Sequence, residues 1–429
     1  MMSSSLAAGL SPVRQTLDNG ATVIVQETSA TPSVAINATF LAGSLYEPDN
    51  LPGLSYLTSR VIDRGTTRRN AEVIAELLDA RGVSLRLAVT RHTMTFSTTC
   101  LTEDFDDVLD IIVDVARCPS FPETEVAKRR AESVTAIRQD DDNPSVRAVE
   151  TLSEMLYGAF HPYGRRVKGS VDSLERITRD AIWRFHTRYV RPAVLSLVIV
   201  GDVSVTRAIE RASATLEGWT GAPERPVVVP PPSVGPSRRV REIPMMGKSQ
   251  TDIAYGFTTI SRLDPRYYAY WMMNNILGQF GLGGRLADNI RERQGMAYYA
   301  FSSFDPTVGE GPLVVRAGVD PANVQRTIDA IDAEVRALGE DGPTATEVDE
   351  TRGYLVGSIP RLLETNYSIA GFLQSAERFG LGLDYDRRLP ALIEAVTIDE
   401  IRAAAEEVLR PERAAIAIAG PHPNAGAKP

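Results

Sequence analysis

The chain is predicted to be α+β, built from two homologous tandem units, each a mainly antiparallel sheet covered by helices on one face. Three observations predict it. A proline-rich break lies near the middle, a long ungapped repeat spans that break, and each half mixes the two-residue period of strands with the 3.6-residue period of helices. The break is residues 218–240, where Pro223, Pro226, Pro230, Pro231, Pro232 and Pro236 remove backbone donors and favour extended geometry. Read as a linker, it separates an N-terminal unit, 12–217, from a C-terminal unit, 241–429. The repeat closes each unit: DAIWRFHTRYVRPAVLSLVIVGD in the first matches DEIRAAAEEVLRPERAAIAIAGP in the second, with Pro192 and Pro411, like Gly201 and Gly420, 219 residues apart. Equal spacing means that no gap intervenes.

The elements follow in order. Leu17-Asp18-Asn19-Gly20 before Thr22 to Val25 predicts a hairpin, because Asn-Gly tolerates the positive φ of a type I′ turn. Val34, Ile36, Ala38 and Phe40 alternate as in a half-buried strand, and Ile253, Tyr255 and Phe257 do so in the second half. Ile74, Leu77 and Leu78 begin a helical stripe that Gly82 stops. Val324, Ile328, Ile331, Val335 and Leu338 make a longer stripe over residues 323–338.

Composition narrows the function. The 429 residues are 43% hydrophobic and 24% charged, the balance of a globular protein, with 46 basic against 55 acidic residues and a net charge of -9. No basic run offers a surface to phosphate, so nucleic acid is not an expected partner. No apolar run approaches the roughly 20 residues of a membrane helix, so no membrane partner is expected either. The start, MMSSSLAAGLSPVRQ, lacks a basic n-region and a long apolar region. Cytoplasmic location is the expectation, with the periplasm open if a signal was trimmed. Cys100 and Cys118 are the two cysteines, which leaves a pair or two ordinary thiols open. His92, His161, His186 and His422 stand far apart, none with another histidine at helical spacing, as isolated structural histidines do. There is no phosphate-loop motif and no G-x-S-x-G elbow.

The segment GSLYEPDNLPGLSYLTSRVIDRGT, residues 43–66, resembles the signature of the insulinase/pitrilysin zinc peptidases, in the branch with half-size subunits that includes the processing peptidases. Gly43, Glu47, Pro48, Pro52, Gly53, Leu54, Gly65 and Thr66 carry the likeness, and the duplicated architecture fits it. Catalytic members of that family place His-x-x-Glu-His on the next helix, two zinc ligands four apart and a glutamate base. Here the slot reads Tyr56-Leu57-Thr58-Ser59-Arg60. The family's third ligand, a glutamate about 75 residues on, falls on Ala136 in TAIRQDDDNP. The resemblance therefore implies no metal and no cofactor in this chain, with Arg60 bringing a permanent positive charge to the cation's place.

In the second half, GGRLADNIRERQGMAYY, residues 283–299, resembles the family's substrate-contacting segment, in which an arginine and a tyrosine seven residues apart act near the scissile bond. Carried over, that pair is Arg291 and Tyr298, while Arg293 and Tyr299 read as solvated or packing positions. The preceding stretch, with Gly278, Gly281, Gly283 and Gly284, resembles the glycine-rich substrate loop of the noncatalytic processing-peptidase subunit, although by itself it is a flexible loop. The resemblance implies one subunit of a heterodimeric zinc peptidase, inactive alone, whose homologous partner carries His-x-x-Glu-His and zinc and closes with it, clamshell fashion, on an unfolded peptide. A structural or assembly subunit with no part in proteolysis is the alternative, and a peptide-binding protein acting alone stays open.

Overall fold

The computed structural model describes residues 9–221, 227–232, 237–279 and 283–421. The strands are β1 (Val13–Thr16), β2 (Thr22–Glu27), β3 (Ser33–Phe40), β4 (Arg86–Val89), β5 (Met94–Leu101), β6 (Leu195–Gly201), β7 (Arg239–Pro244), β8 (Thr251–Thr258), β9 (Ala297–Phe304), β10 (Pro312–Val319) and β11 (Ala415–Gly420). The helices are α1 (Leu54–Val61), α2 (Ala71–Asp79), α3 (Phe105–Arg117), α4 (Glu123–Asp141), α5 (Pro144–Tyr157), α6 (Val171–Arg176), α7 (Arg179–Tyr189), α8 (Val205–Leu216), α9 (Tyr267–Asn274), α10 (Val324–Glu340), α11 (Ala345–Leu362), α12 (Asn366–Arg378), α13 (Tyr385–Glu394) and α14 (Ile398–Val408). Among the described residues no helix is long and apolar enough to cross a membrane.

The duplication is written in the sheets. One runs β1-β2-β6-β3-β5-β4 and the other β7-β11-β8-β10-β9, so without β1 each strand of the first has a counterpart in the same place in the second. In both, the first and last strands of the repeat lie parallel, β2 with β6 and β7 with β11, and the remaining neighbours are antiparallel. Pro192 and Pro411 each open a short 3₁₀ turn into the closing strand, and Gly201 and Gly420 end that strand at φ 149 and 144. The α+β class and the tandem repeat are thus present as read from the sequence.

The packed units nevertheless depart from the contiguous halves expected on either side of the linker. Residues up to 137, 166–227 and 359–388 pack as one unit, and 138–165, 228–358 and 389 onward as the other. In the first, most helices cover one face, and α12 adds Ile369, Ala370 and Leu373 on the opposite face, over Ile24, Ala35, Val198 and Val200. In the second, α5 does the same for the second sheet, laying Ala148, Leu152 and Met155 on Ala254, Val314, Ala415 and Ala417. Each half of the chain thus contributes one helix to the other half's sheet. Burying a large aliphatic side chain stabilises by about 1.5–3 kcal/mol, so each such helix is a firmly held layer. This second layer explains why β3 is buried along both faces, where its alternating pattern predicted a half-buried strand.

Local details differ from expectation in two places. The first hairpin forms, with Thr16 opposite Thr22, but its loop is five residues, 17–21. Gly20 takes φ 86 while Asn19 is not among the positive-φ residues, and the Asn19 carboxamide oxygen accepts from the Ala21 N–H at 3.1 Å, so the turn is not type I′. The linker's last residues, Arg239 and Val240, belong to β7, and Pro230 is held by a 2.8 Å bond between its carbonyl and His161 Nε2. Cys100 and Cys118 are both free thiols, the first buried on β5 and pushed up to about 12 by burial, with Asp104 adding to the effect. The helix expected over 323–338 is α10, and the stripe from Ile74 lies on α2.

Candidate functional site

The signature residues of the first unit build a scaffold around the start of α1. The Glu47 carboxylate accepts from the N–H groups of Gly53 (2.9 Å) and Ser55 (2.7 Å), placing a negative charge at the positive end of the helix. Gly53 stands at the helix N-cap with φ 90, and a Cβ there would meet the Lys168 carbonyl oxygen at 2.6 Å, so glycine is required twice over. On the helix that this scaffold positions stand Tyr56, Ser59 and Arg60. Ser59 is buried and its hydroxyl bonds the Tyr56 carbonyl at 2.7 Å. Arg60 lies 3.7 Å from Glu132 on α4, one turn before Ala136. Glu132 also takes a 2.7 Å bond from Arg129, which, with Arg60 and Lys128 nearby, holds its carboxyl below the usual range. Asp63 is pushed up by burial, against the pull of Arg64, Arg129 and Arg60.

A phenol, a hydroxyl bonded to its own helix, a guanidinium paired with a carboxylate and a methyl group do not fit zinc, which takes three or four imidazole, thiolate or carboxylate ligands in tetrahedral array. Among the described residues no group of three or more His, Cys, Asp or Glu side chains is placed to hold a metal ion.

The second unit presents the other candidate residues. Ala287–Arg293 forms a π-helical turn packed on β9. The N–H of Gly295, at φ 60, donates to the Arg291 carbonyl at 3.2 Å, and that of Met296 to the Ile290 carbonyl at 3.0 Å. Ile290 and Met296 are both buried and pin this turn. Wide helical turns of this kind recur at functional sites. Arg291 is left pointing outward, with Glu292 at 3.5 Å as its ion-pair neighbour.

Tyr298 owes its exposure to a register shift. Gly318 on β10 pairs with Tyr299, while the next residue, Val319, pairs with Ala297. Tyr298 is therefore the extra residue of a β-bulge, a device that turns a side chain out of the ladder. It is 69% exposed. No hydrogen bond joins Arg291 to Tyr298. Both are presented to solvent at one edge of the second sheet, on a pinned turn and on the outermost strand.

Of the glycines expected to line a substrate loop, Gly281 lies outside the described residues. Gly283 is described and partly exposed. Gly278 and Gly284 touch: at φ 90 a Cβ on Gly284 would meet the Gly278 Cα at 2.9 Å, and one on Gly278 would meet the Ser302 backbone nitrogen of β9 at 2.8 Å. These two close the ends of the loop against β9. Arg293 pairs with Asp288 at the surface, as a solvated residue does. Tyr299 is half-buried and donates to Asp252, which, after burial, helps push the phenol up to about 12. Asp252, Ser145 and Arg316, which surround Tyr299, carried no signal in the sequence, because only strand pairing and the placement of α5 bring them together.

Two family models match the chain: one described as Insulinase (Peptidase family M16) over residues 22–167, and one described as Peptidase M16 inactive domain over 176–355. An uncharacterized zinc protease of Streptomyces coelicolor is 27% identical over 96% of this chain and 90% of its own length. One of Mycobacterium tuberculosis is 27% identical over 97% and 94%. Among solved structures, a peptidase M16 inactive domain from Pseudomonas fluorescens superposes with a TM-score of 0.90 at 24% identity, covering 96% of this chain and 98% of that one. A protease from Helicobacter pylori does so with 0.86 at 17%, covering 95% and 99%. With two models of one family together matching residues 22–167 and 176–355, most of the chain, this chain belongs to the insulinase (M16) peptidase family.

Proposed function

We propose that this chain is the substrate-binding subunit, without zinc of its own, of a heterodimeric zinc peptidase that cleaves unfolded peptides. The observation that carries the reading is a contrast between the units: the first keeps the scaffold of α1 but not one ligand, and the second holds Arg291 and Tyr298 at its exposed surface, the arginine beside only Glu292 among the described residues. A phenol can donate to the oxyanion of a tetrahedral intermediate, and a guanidinium can clamp a peptide carbonyl or carboxylate by two bonds. A subunit kept only for assembly has no use for either side chain at the surface, which is what separates the two readings.

Two measurements test the proposal. The purified chain is expected to contain no stoichiometric zinc and to cleave no peptide; about one zinc per chain by elemental analysis, removable by chelator with loss of activity, refutes the absence of a site. Co-expressed with a homologue bearing His-x-x-Glu-His, the chain is expected to elute as one complex, since obligate interfaces bury roughly 2,000 Å² or more. Separate elution of the two at micromolar concentration contradicts the heterodimer.

A further inference from the structure

Wholly within the second unit, Tyr299, the next residue along β9 from Tyr298, helps wall an open cavity of about 440 Å³ whose other walls include Ser145, Lys248, Asp252, Phe301 and Arg316. The strands β8, β10 and β9 lie side by side, and alternate residues share a face. Gly318 sits between Asp252 and Tyr299 in the ladder, and a Cβ on it would meet the Tyr299 ring at 2.5 Å. The missing side chain lets the phenol reach across the middle strand to Asp252. Two residues further along, on the same face, Arg316 stands opposite Phe301 and lays its guanidinium over that ring at 5.6 Å, reaching towards the outermost strand.

Charge in this cavity is unevenly matched. Asp252 is occupied by Tyr299 and by Gln250 at 3.2 Å, and Lys248 pairs with Asp142 at 2.7 Å. Arg316 has one bond, to the Ser145 hydroxyl, and among the described residues no carboxylate within ion-pair distance. Four of its five N–H donors remain, in the fork geometry that matches a carboxylate. The stacked phenyl ring holds the fork in place, limiting the entropy lost when a ligand binds.

Resting on the peptide-binding reading above, we infer that Arg316 is a carboxylate-binding subsite, which selects peptides bearing an acidic side chain or a terminal carboxylate near the bond presented to Tyr298. The spacing gives the position. Phe301 is three residues along β9 from Tyr298, about 10 Å in an extended strand, so a peptide lying along that open edge carries the recognised carboxylate about three residues from the residue at Tyr298.

The test uses the full chain and three peptides of one sequence carrying an uncharged dye: one with a central Gln and an amidated C-terminus, one with Glu in place of that Gln, and one with Gln and a free C-terminus. Fluorescence anisotropy at low salt is expected to show at least one carboxylate peptide binding roughly tenfold tighter than the peptide without one, which also identifies the source of the carboxylate. In Arg316→Gln, with unchanged circular dichroism, that advantage is expected to vanish while binding of the carboxylate-free peptide persists; Arg316→Lys is expected to keep part of it. Equal binding of all three by the wild-type chain, or an advantage that survives Arg316→Gln, overturns the subsite and leaves the peptide-binding reading standing. Because the first comparison needs no variant, a misfolded Arg316→Gln does not shelter the idea: Arg316→Lys with no loss of advantage over the wild type and no salt dependence counts against it. A chain that binds none of the peptides overturns that reading and the subsite together.

Discussion

Tyr298→Phe is expected to lower kcat of the proposed complex with a zinc-bearing homologue by roughly 10²–10³-fold, the usual loss when one oxyanion donor is removed. The basis is geometric. A bulge in β9 opposite Gly318 and Val319 turns the Tyr298 side chain out to 69% exposure, and among the described residues no hydrogen bond holds the phenol. Removing one exposed hydroxyl breaks no internal bond, so thermal stability and elution volume are expected to match the wild type. Arg291→Ala is expected to act mainly on KM, because a clamp that holds substrate equally in ground and transition states changes binding and leaves kcat largely intact. Steady-state kinetics on a fluorogenic peptide, with zinc content and elution checked for each variant, measure both. Near-wild-type kcat/KM in the two variants would make the pair structural and favour the assembly subunit.

Acid is expected to destabilise the folded chain between pH 7 and pH 5 by about 2 kcal/mol for each of two buried histidines. His186 lies beneath the rings of Phe121 and Trp183, its Nε2 bonded to the Ala116 carbonyl at 2.7 Å and its Nδ1 buried with no hydrogen-bond partner among the described residues. Burial lowers it from 6.5 to about 4, with Arg191 adding repulsion that the Ala116 bond opposes. His92 falls to about 4 as well, through burial and then the charges of Arg378 and Arg91. A ring whose folded pKa is depressed takes up its proton more readily in the unfolded chain, so its stability contribution is whole above pH 6.5 and is lost as pH falls towards 4. Denaturant unfolding at pH 7, 6 and 5 reads the slope, and His186→Gln, which keeps a donor for the Ala116 carbonyl, is expected to flatten it. An unchanged slope in that variant would mean that the ring takes up its proton at the same pH in the folded chain as in the unfolded one.

Much of the architecture was legible because it is local. The stripes on α2 and α10 and the first hairpin are set by neighbours a few residues away, and periodicity records them; the repeat shows because the same local pattern is written twice, 219 residues apart. The same holds for part of the candidate site. Arg291, Gly295 and Tyr298 sit within eight consecutive residues, so the order of helix end, turn and strand could be read along the chain. Other features depended on partners far off in sequence. The pattern of β3 predicts one buried face, and it could not reveal the second, since the residues that bury it, Ile369 to Leu373, lie more than 300 positions away. For the same reason the linker marked a break in the chain but not the boundary of packing, because α5 and α12 go to the sheets where their apolar faces are buried. Arg316 was mute in the sequence, an arginine in an ordinary strand. Its unmatched charge exists only because sheet register sets it beside Phe301, while Tyr299 reaches past Gly318 to occupy Asp252. The sequence by itself determined the fold class, the residue types that stand at positions 56–60 and the order of Arg291, Gly295 and Tyr298 along the chain, all of them matters of residue type at short spacing. Tertiary structure alone decided which helix covers which sheet and which charges go unmatched, because burial and ion pairing depend on distance in space, and strand pairing brings together residues the chain keeps far apart.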